Sequence, residues 1–353
     1  MRKALLAGVA LLLGASDQAW AVFIRDDVPT ATYNNFAQQT KYAAAGYQLT
    51  FSVEGNSVSR GTCTGTLISP TKVLTAAHCF VDKNGVALKD GTRVFGTGTT
   101  LPSFSQDLVS NVASFAYNPL YTAGPTQGAA TNDVAVVTLT TAITDVKPAQ
   151  LYLGNVQGLT AAIIGYGGQG TGTVSGSPAD ANNRLGGLNV LDIADANSIK
   201  IDFDSPAGDK STYGNAQPLA LEASVAGGDS GGPLFVDING LTLLVADLNG
   251  GANTLGPADL YGDANGYAPV INASNAKFII GNAPDAVFDR PLSALGGPGA
   301  ILVSDAAIVK SIETYGDVFH VEEFAVAVPE PASAALLTLG VAGLGILRRR
   351  RTT

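Results

Sequence analysis

The chain has 353 residues, of which 42 are glycine and only 14% are charged, and its formal net charge at pH 7 is −9. This length allows one large β domain or two smaller ones, and the composition is typical of short strands joined by turns rather than of a helical bundle. An acidic surface argues against nucleic acid as a partner. Two cysteines cannot form a zinc site by themselves and no H-E-x-x-H motif is present, so the sequence predicts neither a metal nor another cofactor.

Residues 1–21 have the three parts of an export signal. Arg2 and Lys3 give a positive start, an apolar stretch runs from Ala4 to Ala15, and Ala19-Trp20-Ala21 provides an A-x-A cleavage site. We expect cleavage after Ala21 and a secreted mature chain. The alternative is an uncleaved membrane anchor, which requires a longer apolar run than this segment has.

Three short strands are predicted between the signal and the first candidate catalytic motif. Residues 48–53 alternate between apolar and polar side chains, residues 61–68 form a second strand rich in small residues, and residues 73–75 form a third. Cys63 lies in the second strand and Cys79 follows the third. In an exported chain these cysteines are predicted to form a disulfide, which would tie the turn around Cys79 to the neighbouring strand and contribute ~3 kcal/mol.

Three motifs together indicate a hydrolytic site. They are Thr75-Ala76-Ala77-His78-Cys79, Asn132-Asp133-Val134-Ala135-Val136 and Gly228-Asp229-Ser230-Gly231-Gly232-Pro233. Glycines around Ser230 allow a backbone with positive φ that exposes the hydroxyl and aims N–H groups at one point, where an oxyanion forms during acyl transfer. A surface turn with an incidental serine would explain the third motif alone. The order His78, Asp133, Ser230 matches a recurring order of the hydrolytic triad, so the three motifs predict acyl-transfer chemistry.

Strand-like runs continue beyond Asp133. The predicted elements are strands at 134–139 and 161–167, a glycine-rich loop at 168–176, a hairpin of 233–236 and 241–246 joined by Asn239-Gly240, and a helix at 272–280, the first stretch with a helical period. No fixed-period repeat and no βαβ alternation is visible, so the regular spacing of strands predicts a closed barrel or a sandwich. Asp259, Asp263 and Asn265 allow a calcium site, but a solvated loop is the preferred interpretation.

Together the three motifs resemble the active-site motifs of the trypsin/chymotrypsin-like serine proteases, and the likeness spans roughly residues 46–280. The resemblance implies an all-β fold of two antiparallel six-stranded β-barrels, with the active site in the cleft between them and a short C-terminal helix. It implies that Ser230 is the nucleophile, that His78 is the general base and that Asp133 orients His78. It also implies an oxyanion hole formed by the backbone N–H groups of Gly228 and Ser230.

One departure from the family concerns activation. In activated members the acid before the serine pairs with a freed N-terminal amine, usually of an Ile-Val-Gly-Gly sequence, which this chain lacks. Three states are open to Asp229: it pairs with the terminus created at Val22, with a side chain such as Arg25, or with neither. Zymogen control therefore does not follow from the resemblance.

A second departure concerns the specificity pocket. Six residues before the nucleophile, Ser224 stands where trypsin-like enzymes have aspartate. The resemblance then implies a neutral pocket that prefers an apolar or aromatic residue before the scissile bond, with Gly250 and Gly251 lining its wall. Ala226 takes the place of a cysteine that braces this pocket in the family, so packing must brace it here.

The C-terminal end has three parts. Val328-Pro329-Glu330-Pro331 precedes an uncharged segment at 332–347, and Arg348-Arg349-Arg350-Arg351 follows. This arrangement resembles the PEP-CTERM sorting signal of Gram-negative bacteria, which implies recognition by an exosortase, removal of the tail and delivery to the cell surface or extracellular matrix. Until its removal, the segment 332–347 is predicted to be a transmembrane helix. A plain tail anchor is the alternative, and it leaves Pro-Glu-Pro unexplained.

The whole chain is therefore predicted to have four parts: a signal peptide at 1–21, a trypsin-like protease domain at 22–283, an extension or stalk at 284–327 and the sorting signal at 328–353. The predicted function is that of a secreted serine endopeptidase acting on proteins or peptides. One alternative is a catalytically idle homologue that acts as a surface or matrix binding protein, and another is an adhesive protein with coincidental motifs. A complete triad argues against both alternatives.

Overall fold

A computed structural model of the chain describes residues 22–54, 57–88, 91–102, 111–124, 129–177, 183–195, 197–214, 217–252 and 260–289. Strands dominate this part of the chain and form two curled antiparallel half-barrels, with few helices. The predicted all-β fold of two antiparallel barrels is therefore confirmed. The signal peptide and the sorting signal lie outside the described residues.

The strands of the described residues are, in chain order, β1 (Phe23–Ile24), β2 (Ala45–Glu54), β3 (Ser57–Ser69), β4 (Lys72–Thr75), β5 (Thr92–Gly96), β6 (Val112–Tyr117), β7 (Ala135–Leu139), β8 (Gln150–Leu151), β9 (Thr160–Gly165), β10 (Gln169–Thr171), β11 (Val174–Ser177), β12 (Leu185–Val190), β13 (Ile193–Ala194), β14 (Ile199–Asp202), β15 (Ala223–Ser224), β16 (Pro233–Ile238), β17 (Leu241–Ala252) and β18 (Ala264–Pro269). The helices are α1 (Thr30–Ala37) and α2 (Ala273–Asn282). Single 3₁₀ turns cover Thr40–Tyr42 and Ala77–Cys79.

The first half-barrel is a six-stranded antiparallel sheet in the order β5-β2-β3-β4-β7-β6. Its register explains how two of the motifs meet. In the β4–β7 pair, Thr75 lies opposite Ala135. The chain leaves β4 just after Thr75 and enters β7 just before Ala135, so the segments that carry His78 and Asp133 emerge side by side at the same edge of the sheet.

The second half-barrel follows the order β12-β9-β16-β17-β18-β14-β13, with β8 added in parallel to β17. It therefore contains eight strands among the described residues, two more than the predicted six. The predicted Asn-Gly hairpin joins β16 to β17. Asn239 (φ 51°) and Gly240 (φ 80°) both adopt the left-handed conformation that this tight turn requires.

A third, four-stranded sheet has the order β11-β10-β1-β15. Its strands β10 and β11 occupy the stretch 168–176 that was predicted to be a loop, and that prediction is wrong. Pairing with a distant segment accounts for the difference: β1, at the start of the described chain, runs parallel to β10 and antiparallel to β15. The sequence around residue 170 gives no sign of this partner.

The helices were predicted only in part. The expected helix at 272–280 is confirmed as α2, and the side chain of Asn272 caps it by accepting hydrogen bonds from the N–H groups of Ser274 and Asn275. The expectation that no helix precedes it is wrong, because α1 covers Thr30–Ala37. This helix has a polar sequence and no side-chain cap, and only Tyr33 and Ala37 are buried within it. Such a helix depends on its tertiary contacts rather than on a sequence pattern.

The largest hydrophobic core runs through both half-barrels. Leu67 and Val137 come from the first sheet, and Phe235 and Leu244 come from the second. Residues 284–289, expected to begin an extension or stalk, still pack on this core: Leu151 donates its N–H to the carbonyl of residue 287, and Phe288 is buried. No helix in the described part of the chain has the length and apolar character needed to span a bilayer, and the predicted span at 332–347 lies outside that part.

Candidate active site

His78 and Asp133 form a closely bonded pair. The Nδ1 atom of His78 lies 2.7 Å from Oδ2 of Asp133, and the backbone N–H of His78 donates to Oδ1 at 2.9 Å. Asp133 is completely buried, whereas the histidine side chain is about one-third exposed. Because Asp133 interacts with both the backbone and the Nδ1 side of His78, it fixes the position and the ring orientation of the histidine. Nε2 is then the ring nitrogen that can take up a proton.

The turn that carries His78 is braced locally. It is the single 3₁₀ turn Ala77–Cys79, which follows β4, and its alanine is fully buried. The predicted disulfide between Cys63 and Cys79 is present and ties this turn to β3. The histidine therefore stands on a short segment that is crosslinked at the residue directly after it.

Ser230 lies in the glycine turn that precedes β16. Gly228 has φ +98°, and a Cβ atom at this position would come within 2.7 Å of the Cα atom of Gly167. Glycine is therefore required here by both backbone conformation and space. The backbone N–H groups of Gly228 and Ser230 donate to no group in the described residues, although their neighbours Asp229 and Gly231 both donate to carbonyls. Two unbonded N–H groups at alternate residues are the donors that an oxyanion hole needs.

A single cavity of about 640 Å³ contains the predicted catalytic residues. His78, Asp133, Ser230, Gly228 and Gly250 all contribute to its wall. The hydroxyl of Ser230 makes no hydrogen bond to the His78 imidazole. Serine and base are commonly loosely aligned before substrate binds, so this geometry is compatible with a base that acts on a bound substrate.

Thr64 joins the two half-barrels directly behind Ser230, and the sequence analysis did not single it out. Its N–H donates to the carbonyl of Ser230 (2.8 Å), and its hydroxyl donates to the carbonyl of Gly228 (3.1 Å). The same hydroxyl accepts from the N–H of Tyr166 (3.2 Å). Thr64 follows Cys63 in β3, so one buried side chain couples the disulfide-braced sheet to the glycine turn that carries Ser230. Its only sequence signal is its place beside a motif cysteine.

Asp229 is a fully buried carboxylate with backbone partners. It accepts hydrogen bonds from the N–H groups of Gly167 and Ala226, each at 3.0 Å. Burial raises the pKa of Asp229 to about 7, although these backbone bonds act in the opposite direction. Arg25, one of the partners considered from the sequence, instead pairs with Asp27 at 2.6 Å. Val22 is completely buried directly before β1, and Phe23, the first residue of that strand, lies opposite Ser224.

The predicted pocket residues are only partly brought together. Ser224 is buried and accepts a 2.6 Å hydrogen bond from the Nδ2 atom of Asn265. A Cβ atom on Gly251 would come within 2.5 Å of Oδ1 of Asn265, so Gly251 lies against the same amide. Gly250 contributes to the cavity wall, whereas Ser224 and Gly251 do not. The sequence did not identify Asn265 as the partner of Ser224, because nothing in its local sequence places it opposite that serine.

Asn265 and Asp263 were interpreted from the sequence as parts of a solvated loop, and for these two residues that interpretation is wrong. Asn265 is a residue of β18, and both side chains are buried. Asp259 lies outside the described residues. Within the part of the chain that the structure describes, no group of three or more potential metal ligands converges on one point.

A cluster of acidic side chains lies in the second half-barrel, away from the cavity. Burial is the main cause that raises the pKa of Glu222 to about 9, of Asp192 to about 7 and of Asp204 to about 6. The neighbouring carboxylate of Asp202 raises all three further, and it accepts a hydrogen bond from the hydroxyl of Ser211. These acids therefore hold protons at pH values where exposed carboxyl groups have lost them.

The family model described as Trypsin matches residues 35–272, which is more than half of the chain, and the model of the PEP-CTERM protein-sorting motif matches residues 327–351. No curated protein matches. Among solved structures, HL collagenase has 19% sequence identity and a TM-score of 0.45, with 69% of this chain and 94% of that chain covered.

Proposed function

Because this chain belongs to the trypsin family, we propose that it is a serine endopeptidase that hydrolyses peptide bonds through an acyl-enzyme formed on Ser230. One observation carries the proposal. The bonded pair of His78 and Asp133 lies in the same cavity as Ser230, together with two backbone N–H groups that have no other partner among the described residues. A nucleophile, an oriented base and paired N–H donors are the parts that acyl transfer needs.

In the acylation step, the Oγ atom of Ser230 attacks the carbonyl carbon of the scissile peptide bond, and Nε2 of His78 takes up the hydroxyl proton. Asp133 stabilises the imidazolium that forms, because it already accepts from the Nδ1–H side of the ring. The N–H groups of Gly228 and Ser230 stabilise the oxyanion, with each donor contributing about 3 kcal/mol. His78 then gives the proton to the leaving amine, the C–N bond breaks and the acyl group stays on Ser230.

Deacylation repeats these steps with water. His78 removes a proton from the water molecule as its oxygen attacks the ester carbonyl, and the same N–H groups stabilise the second oxyanion. The proton then passes to Oγ of Ser230 as the ester bond breaks. The products are an amine, a carboxylic acid and the free enzyme, so one water is consumed for each peptide bond.

The same proposal includes the chain's destination. The PEP-CTERM motif indicates export to the cell envelope. We place the leader at 1–21, the protease domain at 22–283 and the sorting signal at 328–353, with the segment 332–347 holding the chain in the membrane until an exosortase removes it. The mature enzyme would then act at the cell surface or in the extracellular matrix on proteins or peptides. Ser224 stands where trypsin-like enzymes of this family have an aspartate and carries no charge, so we expect an apolar residue before the scissile bond.

A fluorophosphonate probe tests the proposed chemistry, because it labels only a serine that a base activates. The purified protein is expected to be labelled, and Ser230→Ala and His78→Ala are expected to lose labelling. Ser114→Ala is the matched control, since Ser114 is an exposed serine on β6, and it should label as the parent does. If the folded parent is not labelled while a known serine protease in the same sample is, the enzymatic proposal fails and an idle homologue that binds surface or matrix components takes its place.

A further inference from the structure

Residues 165–168, at the end of β9, lie directly against the glycine turn that precedes β16. The N–H of Gly167 donates to Oδ1 of Asp229 (3.0 Å). The next N–H along the chain, that of Gly168, donates to the carbonyl of Gly227 (3.3 Å). Two hydrogen bonds from one short segment therefore hold the glycine turn from behind.

Packing between the segment and the turn is as close as the hydrogen bonding. Gly228 lies between the two bonded residues of the turn, and a Cβ atom on it would come within 2.7 Å of the Cα atom of Gly167. A Cβ atom on Gly165 would overlap the carboxylate of Asp229. Because the two backbones are in direct contact, a displacement of the segment would displace the N–H of Gly228 with it.

Tyr166 is the only residue of the segment 165–168 that is not glycine. Glycine adopts many backbone conformations and has no side chain to pack, so the three glycines do not fix the position of the segment by themselves. The tyrosine side chain is therefore the one group within the segment that can anchor it by packing.

The ring of Tyr166 packs in the opposite half-barrel. Tyr166 follows β9 of the second half-barrel, but its buried ring joins a cluster with Leu49 and Phe51 of β2 in the first. It also makes an edge-to-face contact with Tyr47, with 5.7 Å between the ring centroids. Aromatic pairs in this arrangement are oriented as well as apolar, so the first sheet fixes the ring in one place.

The hydroxyl of Tyr166 is held in the same half-barrel. It lies 3.0 Å from the carbonyl oxygen of Ala45, on β2, and 2.6 Å from that of Gly98, which follows β5. Burial is the main cause that raises the pKa of Tyr166 to about 12, so the hydroxyl keeps its proton and remains a donor to these carbonyls. Ring and hydroxyl together tie a glycine segment of the second half-barrel to the first.

We propose that Tyr166 is a positioning residue for the oxyanion donors. Its side chain is fixed in the first half-barrel, and its backbone holds the segment 165–168 against the glycine turn, so that the N–H groups of Gly228 and Ser230 point at one position. Tyr166 is not part of the cavity wall, so it acts through the turn and not by touching the substrate. The inference rests on the proposed endopeptidase function and adds a requirement to it: the first half-barrel aligns the oxyanion donors of the second.

Tyr166→Phe tests this role with the smallest change, because it removes the hydroxyl and keeps the ring. The rate of fluorophosphonate labelling is measured per folded protein, in conditions where urea unfolding shows that parent and variant are both folded. We expect the rate to fall about tenfold, because small displacements of preorganised groups are costly in an active site. Tyr166→Leu removes the ring as well and should be labelled more slowly still.

The pH dependence of the labelling rate separates the glycine turn from the base. The rate should fall at low pH as His78 becomes protonated. The midpoint of this fall should be the same in Tyr166→Phe as in the parent, because His78 and Asp133 are paired within the first sheet. A shifted midpoint would mean that the substitution acts through the base, and it would overturn the role assigned to Tyr166.

Tyr33→Phe is the matched control for the loss of a buried hydroxyl. Tyr33 is fully buried and donates its hydroxyl to a backbone carbonyl, that of Glu222 (3.0 Å), but its hydrogen bonds in the described part of the chain do not involve the segment 165–168 or the glycine turn. This variant should lose about as much stability to urea as Tyr166→Phe and be labelled within about twofold of the parental rate.

The remaining outcomes separate this inference from the proposed function. If the parent is labelled and Tyr166→Phe is labelled at the same rate, Tyr166 does not position the donors, while the endopeptidase proposal stands. Equal slowing in Tyr166→Phe and Tyr33→Phe also overturns the inference, because it would be a general effect of losing a buried hydroxyl. If the folded parent is not labelled at all, the proposed function fails, and the role of Tyr166 fails with it.

Discussion

The two half-barrels contribute to the candidate site in different ways. The first supplies both His78 and Asp133, because the register of β4 and β7 brings their segments together. The disulfide after His78 braces the turn that carries it. The second supplies Ser230 on a glycine turn that has no crosslink and is held by backbone hydrogen bonds and close packing. The pairing of His78 with Asp133 therefore depends on the first sheet, whereas the position of Ser230 depends on how well the two sheets fit together. Four changes test this difference, given from the largest expected effect to the smallest.

Gly231→Ala should have the largest effect, because Gly231 lies where the nucleophile turn meets the first sheet. Its φ is +76°, and a Cβ atom would come within 2.6 Å of both the Ala76 nitrogen and the Thr64 carbonyl oxygen. We expect a loss of roughly 3–5 kcal/mol in the free energy of unfolding, together with loss of fluorophosphonate labelling. Urea unfolding measures the first and labelling the second.

Gly240→Ala is the matched control for this change. Gly240 has a similar φ of +80°, but nothing lies within 4 Å of an added Cβ atom. The loss in the free energy of unfolding should be limited to backbone strain, about 1–2 kcal/mol, and Ser230 should still be labelled by the fluorophosphonate. Equal effects at the two glycines would mean that strain rather than the contact between sheets matters at Gly231.

Removing the disulfide tests the bracing of the first sheet. The double variant Cys63→Ser, Cys79→Ser should lose about 3 kcal/mol in the free energy of unfolding, because the closed loop no longer restricts the unfolded chain. Urea unfolding with and without a reducing agent measures the effect. The parent should become as unstable as the variant under reduction, and the variant should not respond. If reduction does not change the free energy of unfolding of the parent, the crosslink contributes nothing to its stability.

Thr64→Val tests the bonds between the sheets. Valine keeps the shape of threonine but leaves the carbonyl of Gly228 and the N–H of Tyr166 without their partner. We expect a loss of about 1–3 kcal/mol in the free energy of unfolding and slower labelling of Ser230. Thr66→Val on the same strand is the control, because the buried Thr66 hydroxyl has no hydrogen-bond partner among the described residues and its removal should be neutral within about 0.5 kcal/mol. Similar losses in both variants would contradict the assigned role of Thr64.

Counted per pH unit, the smallest effect is a pH dependence of stability that comes from the acidic cluster of the second half-barrel. The folded chain keeps a proton on Glu222 up to about pH 9, whereas an ordinary glutamate releases it near pH 4.5. The folded state therefore binds more protons than the unfolded state in this range, and the free energy of unfolding should fall as pH rises through it. Each such group contributes at most about 1.4 kcal/mol per pH unit.

Glu222→Gln should reduce this decline, because glutamine keeps an oxygen for the N–H of Leu219 and cannot ionise. Urea unfolding at pH 5, 7 and 9 gives the slope. Asp145→Asn, at an exposed position after β7, is the matched control and should keep the parental slope. A stability that rises from pH 5 to pH 9 would contradict the raised pKa of Glu222.

The parts of the structure that could be predicted from sequence have local signals. Asn239-Gly240 requires the left-handed turn that it adopts, and the alternating residues 48–53 lie within β2. The three motifs also predict that His78, Asp133 and Ser230 share a site, and the structure places all three on one cavity. Their catalytic roles remain predictions that the labelling experiment tests.

The parts that could not be predicted depend on contacts between distant segments. Nothing near Thr64 indicates that its hydroxyl bonds to Gly228, because the two are 164 residues apart. The same holds for Asn265, which is 41 residues from the Ser224 hydroxyl that it bonds. Helix α1 and the strands β10 and β11 also form against partners that their own sequences do not specify. Periodicity reports which face of an element is buried, but not what covers it.

Because of the disulfide between Cys63 and Cys79, the bracing of the His78 turn also depends on the compartment that the chain has reached. A thiol pair stays reduced in the cytoplasm and is oxidised after export. A chain that has not yet crossed the membrane therefore holds its His78 turn only by non-covalent contacts, and the covalent brace is added on the far side. In the proposed endopeptidase, the brace beside the histidine is therefore added outside the cytoplasm, away from the proteins of the cell that made the chain.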